Sequence, residues 1–247
     1  MKKALFLFLF LPFLVASSAN ATTVADITFV IDQSGSMGSE FSWLGSRIEQ
    51  IDSGLQAKGI TDINYGVAGY EMFAGNAYSQ NVWSDLPSGI NDIVTGVNSV
   101  EFYGGTERHY HAAAWAADNF TWSGGDYAKI MILVTDEHGD ELDGFAYAGL
   151  SGEAALAKKM ADNDILLNVI SGNAYASVWD DAVFNKDDYT GFFDLDFLRT
   201  NADEFTEQFI EAKGKEIIAH NPVPEPTTML MLGFGLLGIA GVARKRC

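Results

Sequence analysis

The chain has almost no cysteine. Of its 247 residues only Cys247 carries a thiol, so no internal disulfide can form and no cysteine-based metal site or nucleophile is available to the body of the chain. Positive charge is scarce as well. Lys and Arg number 15 against 33 Asp and Glu, a formal net charge of −18, and a nucleic-acid-binding surface needs the basic footprint that this balance excludes. Nucleotide motifs are missing too. Neither G-x-G-x-x-G nor G-x-x-x-x-G-K-[ST] follows the first apolar run after the leader, so a nucleotide has no anchor there. There is no low-complexity segment and no repeat.

The two ends carry signals. Lys2 and Lys3 precede the apolar run Ala4 to Val15, and Ala19-Asn20-Ala21 matches a small-residue cleavage pattern. This predicts a signal peptide over 1–21, because the apolar run is about half the ~20 residues of a spanning helix. At the other end Asn221 to Pro226 (NPVPEP) places three prolines in five residues, which stop a helix and form a stiff, extended linker. Thr227 to Ala243 is uncharged and apolar, at the lower length limit for a span, and Arg244-Lys245-Arg246 follows. A basic cluster after a span favours the cytoplasmic side. Pro224-Glu225-Pro226, the apolar span and the basic end together resemble the PEP-CTERM sorting signal. That resemblance implies a Gram-negative exporter, an exosortase-like processing enzyme, a membrane segment at 227–243 before processing, and delivery to the cell envelope, cell surface or extracellular matrix. A plain single-pass anchor is the alternative; a GPI signal would normally end apolar rather than in RKR. Removing both ends leaves 10 basic and 32 acidic residues, a balance of −22. Such a body repels anionic polymers unless divalent cations bridge them.

The body, 22–220, reads as one domain. Ile27–Ile31 is a short β-branched and aromatic run, hence a buried strand. Ser39 to Lys58 carries Phe41, Leu44, Ile48, Ile51 and Leu55 at helical spacing and stops at Gly59. Ile63 to Tyr70 reads as a second strand whose two glycines allow close packing, and Tyr78 to Trp83 as an antiparallel edge strand beside it. Ile90 to Val97 and Glu107 to Phe120 read as helices, Lys129 to Thr135 (KIMILVT) as the strongest buried strand. Glu153 to Asp162 is a helix, Ile165 to Ile170 a central strand, and Asp196 to Lys215 one final amphipathic helix. This alternation predicts an α/β fold: a doubly wound, mostly parallel sheet with helices on both faces, Rossmann-like in pattern.

The stretch that carries chemistry is Ile27 to Met37, ITFVIDQSGSM. Asp32, Ser34 and Ser36 lie on the turn that leaves the first strand, where ligands bind in open α/β sheets. One carboxylate and two hydroxyls offer hard oxygen donors suited to Mg²⁺. Here D-Q-S-G-S resembles the D-x-S-x-S signature of von Willebrand factor A-type domains, with which the metal-ion-dependent adhesion site of that family begins. The family's next segment is a glycine-rich loop with a threonine, matched by Gly104-Gly105-Thr106. The last is an aspartate after the central strand, matched by Thr135-Asp136. The resemblance thus implies a metal set of Asp32, Ser34, Ser36, Thr106 and Asp136. It implies a divalent cation, Mg²⁺ first with Mn²⁺ or Ca²⁺ as alternatives, and an open position for an acidic group of a partner: a protein carboxylate or an acidic exopolysaccharide. One departure stands out. The family's usual glycine after the last aspartate is Glu137 here, followed by His138-Gly139-Asp140-Glu141, carboxylates that either add ligands or face solvent.

Other candidates point elsewhere. His109, His111 and His138 read as surface histidines, since positions two apart on a helix diverge. Ser34 or Ser36 as a hydrolase nucleophile lacks a G-x-S-x-G context. Asp180, Asp181, Asp187, Asp188, Asp194 and Asp196 lack EF-hand spacing and read as a solvated acidic face. Trp115, Trp122 and Trp179 read as core. The expectation is an exported, non-enzymatic adhesion module. A metal-dependent envelope hydrolase and a structural matrix protein with a vestigial site are the alternatives.

Overall fold

The computed structural model describes residues 23–73, 77–102, 108–137, 144–179, 182–183 and 191–221. The expected signal peptide, the expected span at 227–243 and Thr106 lie outside the described residues. Among the described residues no helix is long and apolar enough to cross a membrane.

The architecture grows from β1 (Thr23–Asp32), whose residues are buried apart from Val24. Side chains alternate across a strand, so Ile27, Phe29 and Ile31 enter one core while Val30 enters the other. A strand covered on both faces needs no polar alternation, which is why Phe29, Val30 and Ile31 follow one another with no polar residue between them. It pairs in parallel with β2 (Ile60–Phe73) on one side and β4 (Ala128–Val134) on the other. The full sheet runs β3-β2-β1-β4-β7-β8, with β3 (Ala77–Ser88) as the antiparallel edge on β2, β7 (Ile165–Ser171) on β4, and β8 (Phe192–Asp194) parallel to β7. A two-stranded β5 (Ala146–Tyr147) and β6 (Leu150–Ser151) stand apart.

Helices cover both faces, as expected for a doubly wound α/β sheet. On one lie α1 (Gly38–Ala57), α2 (Ile90–Asn98), α5 (Leu195–Thr200) and α6 (Ala202–His220). The α1 residues Phe41, Leu44, Ile48, Ile51 and Leu55, set at helical spacing, are all buried there. Trp43 joins the same core, edge-on to Phe205 and Phe209 of α6 at centroid distances of 5.6 and 6.0 Å. The other face is covered by α3 (His109–Asn119) and α4 (Gly152–Asp162). The two glycines of β2 serve close approach: a Cβ on Gly66 would meet Phe120 at 2.8 Å, and one on Gly69 would meet Gln33 at 2.3 Å.

Two expectations need correction. The final helix is not continuous from Asp196 to Lys215. Asn201, at φ −140° and ψ 54°, separates α5 from α6 and accepts from the N–H of Phe205 at 2.9 Å to start the second helix. The strand β8 is also unannounced, because three residues are too short for a periodic signal and are held by pairing with β7.

Candidate metal centre

Strand order creates the site. From β1 the chain crosses through α1 to β2 on one side and later returns to β4 on the other. The crevice at the carboxyl ends of β1 and β4 is therefore a topological switch point, where open α/β sheets bind ligands. Asp32 ends β1, and Thr135-Asp136 follows β4.

Local chemistry then holds each group. The Asp32 carboxylate is fully buried. Its Oδ1 accepts from the Ser34 N–H at 2.7 Å and its Oδ2 from the Thr135 hydroxyl at 3.2 Å. The first bond is the local turn that Asp favours; the second ties β1 to β4. Ser34 and Ser36, two residues apart on the short 3₁₀ turn into α1, bring their hydroxyl oxygens to 3.0 Å. Asp136 opens with Ser36, Glu137 and Tyr175 onto a hollow of about 420 Å³. Gln33 donates from Nε2 to the Glu101 carbonyl at 2.9 Å, and Phe102 packs edge-on to Phe41. Residues 101–102, which lead toward Thr106, are thereby held beside the first loop. Thr106 itself lies outside the described residues.

The electrostatics fit a cation. Burial pushes the Asp32 carboxyl up from 3.8 to about 7; the hydrogen bonds from Ser34 oppose this, and the charge of Asp136 adds to it. The buried Asp32 carboxylate, Asp136 and the Ser34–Ser36 hydroxyl pair make up a hard-oxygen set of the kind that suits a divalent cation. Among the described residues no three His, Cys, Asp or Glu side chains converge to hold a metal; the set is a mixed one of carboxylates and hydroxyls.

Arg199, at the end of α5, sits at the same place and has no counterpart in the sequence reading. Its Nη2 donates to Asp136 Oδ2 at 3.1 Å and to the Ser36 carbonyl at 3.3 Å, while Nε donates to Glu40 Oε1 at 2.6 Å. Glu40 is 1% exposed, so the guanidinium bridges a buried acid of α1 and the aspartate of the hollow. The only sequence cue was an apolar-face acid, Glu40, needing a partner.

The remaining candidates fall into place. Glu137 is exposed on the rim of the hollow, with its N–H donating to the Thr135 hydroxyl at 3.1 Å and its carbonyl accepting from the Ser171 hydroxyl at 3.3 Å. His138 to Glu141 lie outside the described residues. His109 is not a surface residue. It is 1% exposed, with Nδ1 at 2.8 Å from the Tyr70 hydroxyl and its ring against Trp179. Burial of the Tyr70 and Trp179 rings beside it makes this a core position, and Trp179 is core as expected. His111 packs on Phe145. Asp194 caps α5, accepting from the Asp196 N–H at 3.0 Å; Asp180, Asp181, Asp187 and Asp188 lie outside the described residues.

The chain matches the family model of the von Willebrand factor type A domain over residues 26–190, and that of the PEP-CTERM protein-sorting motif over 222–246. Among curated proteins none matches. The fold is similar to that of proximal thread matrix protein 1 from the mussel byssus, at 16% identity and a TM-score of 0.51, covering 76% of this chain and 47% of that one. A structure of the same mussel protein with a zinc occupied MIDAS motif gives 17% identity and a TM-score of 0.53, covering 77% and 49%. This chain thus spans about half the length of the solved structures it matches.

Proposed function

Because the chain belongs to the von Willebrand factor type A domain family, we propose that its body binds an acidic ligand group through a divalent cation held at the crevice between β1 and β4. The observation that carries this reading is the convergence of Asp32, Ser34, Ser36 and Asp136 there, with a buried carboxylate raised to about 7. Ser34 and Ser36 would ligate through their hydroxyls, Asp32 and Asp136 through their carboxylates, and Thr106 would complete the set that the family resemblance implies. Mg²⁺ is the first choice for hard oxygen donors, with Mn²⁺ and Ca²⁺ as alternatives. The zinc occupied MIDAS motif of the mussel protein supports a divalent ion in a domain of this fold. Such a cation supplies a Lewis acid for a carboxylate. On a body of net charge −22 it also supplies the attraction that an acidic exopolysaccharide or protein carboxylate otherwise lacks.

The sorting motif at 222–246 supports export and processing by an exosortase-like enzyme, with 227–243 in the membrane beforehand. The destination is the Gram-negative envelope, cell surface or matrix, and the role is adhesion rather than turnover. Calorimetric titration of residues 22–220 with Mg²⁺, Mn²⁺ and Ca²⁺, alongside Asp32→Ala, tests the site. Saturable binding lost in the variant is expected; identical heats from both proteins refute the metal mechanism.

A second reading has one observation in its favour. Arg199 already neutralises Asp136, as it would in a structural matrix module whose metal site is vestigial. Absence of cation binding in the same titration selects this reading.

A further inference from the structure

The core under α6 holds three polar side chains that the metal centre does not use. Asn168 in the middle of β7, and Lys213 and Glu216 one turn apart on α6, are each 0% exposed. The Lys213 ammonium donates to Asn168 Oδ1 and to Glu216 Oε2. Asn168 Nδ2 donates to Glu216 Oε1 at 2.9 Å and Oε2 at 3.3 Å. Around them the wall is apolar: Lys213 Nζ lies 5.0 Å from the centroid of Phe193, within the core that includes Leu166, Ile170, Phe209 and Ile217.

An ion pair is a costly way to fasten a helix, since apolar residues of the same volume hold it as well or better. What this arrangement does offer is reactivity. The lysine nitrogen is hydrogen-bonded to the carboxamide oxygen, the atom next to the carbon it would attack, and one carboxylate touches both that nitrogen and the carboxamide nitrogen. Such placement converts a slow bimolecular aminolysis into an intramolecular reaction.

We propose that Lys213 and Asn168 join in an intramolecular isopeptide bond, with Glu216 transferring the proton. Glu216 takes a proton from the Lys213 ammonium, and the neutral Nζ attacks Asn168 Cγ. The C–Nδ2 bond of the tetrahedral intermediate breaks as Glu216 returns that proton to Nδ2, and the Glu216 carboxylate then keeps the second proton that Nζ sheds in becoming an amide nitrogen. One N–C bond forms, one C–N bond breaks, one ammonia leaves, and nothing is oxidised or reduced. Burial favours this chemistry twice: it pushes the Lys213 ammonium below its ordinary value, toward the free amine, and it excludes the water that would compete as nucleophile. The bond closes a loop between positions 45 residues apart and fastens α6 to the sheet. In a chain whose sole thiol is Cys247, an amide does the work of a structural disulfide. It also carries to the sheet any tension applied beyond His220, instead of letting the last helix peel away.

Tryptic mass spectrometry of the purified full chain decides the matter independently of end processing. Cleavage after Lys159, Lys186, Arg199 and Lys215 should yield a branched peptide joining 160–186 to 200–215, lighter than the two together by one ammonia, about 17 Da. Lys213 should resist both trypsin and amine acylation after unfolding. Asn168→Asp should give the same product by loss of water instead. Glu216→Gln should leave two separate peptides of full mass while retaining the native circular-dichroism spectrum. Wild-type protein that gives unlinked peptides, with Lys213 cut or acylated, overturns the bond. A branched peptide formed at wild-type yield in Glu216→Gln overturns the role of Glu216.

Discussion

Replacing Asp32 by Asn should separate stability from cation binding. Burial dominates the rise of this carboxyl from 3.8 to about 7, a difference worth about 4 kcal/mol in favour of the neutral form. The sign follows from linkage. A folded-state value above the unfolded one means that the folded protein holds the proton more tightly, so the stabilisation is complete below 3.8 and lost as pH rises through about 7. In chelator, wild-type protein should lose about 3 kcal/mol between pH 5 and pH 8 from this group alone. Asn is isosteric and uncharged. Its carbonyl oxygen can still accept from the Ser34 N–H, and its amide can donate to the Thr135 hydroxyl, which reverses one bond at a cost of about 1 kcal/mol. Asp32→Asn should therefore be more stable than wild type at pH 8 in chelator by about 2–4 kcal/mol, with a shallower pH slope. Saturating Mg²⁺ should stabilise wild type and leave the variant unchanged. Urea denaturation at both pH values, with chelator and with Mg²⁺, reads all of this. A variant less stable than wild type at pH 8 in chelator, or one with the same pH slope, would refute the account of a buried, under-neutralised carboxylate.

Cation affinity should fall about tenfold per pH unit below about 7, because the proton competes for Asp32; a pH-independent dissociation constant from calorimetry would contradict this. Arg199→Gln should raise cation affinity by about tenfold through release of Asp136. It should also cost about 1–3 kcal/mol by leaving Glu40 short of its partner, and thermal melts paired with titration separate the two effects. Gly69→Ala places a Cβ 2.3 Å from Gln33 Oε1 and should destabilise by about 1–3 kcal/mol. Adding Gln33→Ala should recover most of that loss, and a double variant no better than the single one would locate the clash elsewhere.

Local signals told most of the secondary structure and part of the site. The apolar runs Ile27–Ile31 and KIMILVT are strands because both faces are buried, and the spacing of Phe41, Leu44, Ile48, Ile51 and Leu55 is a helix face because all five meet one core. The turn that joins Asp32, Ser34 and Ser36 was legible because it spans only five residues. The sorting motif at 222–246 was legible for the same reason, its order being carried entirely by contiguous residues. Only the tertiary structure decided which distant groups share a space. Pairing of β1 with β4 brings Thr135 to Asp32 across 103 residues, and packing of α5 brings Arg199 to Asp136 and Glu40 across 63 and 159. The same is true of β8, which three residues cannot specify without β7 beside them, and of the break at Asn201. It is truest of Asn168, Lys213 and Glu216. A lone Asn in an apolar strand and a Lys on a helix each look unremarkable, and their meaning arises when folding removes the water between them, because both the cost of a buried charge and its reactivity depend on what surrounds it.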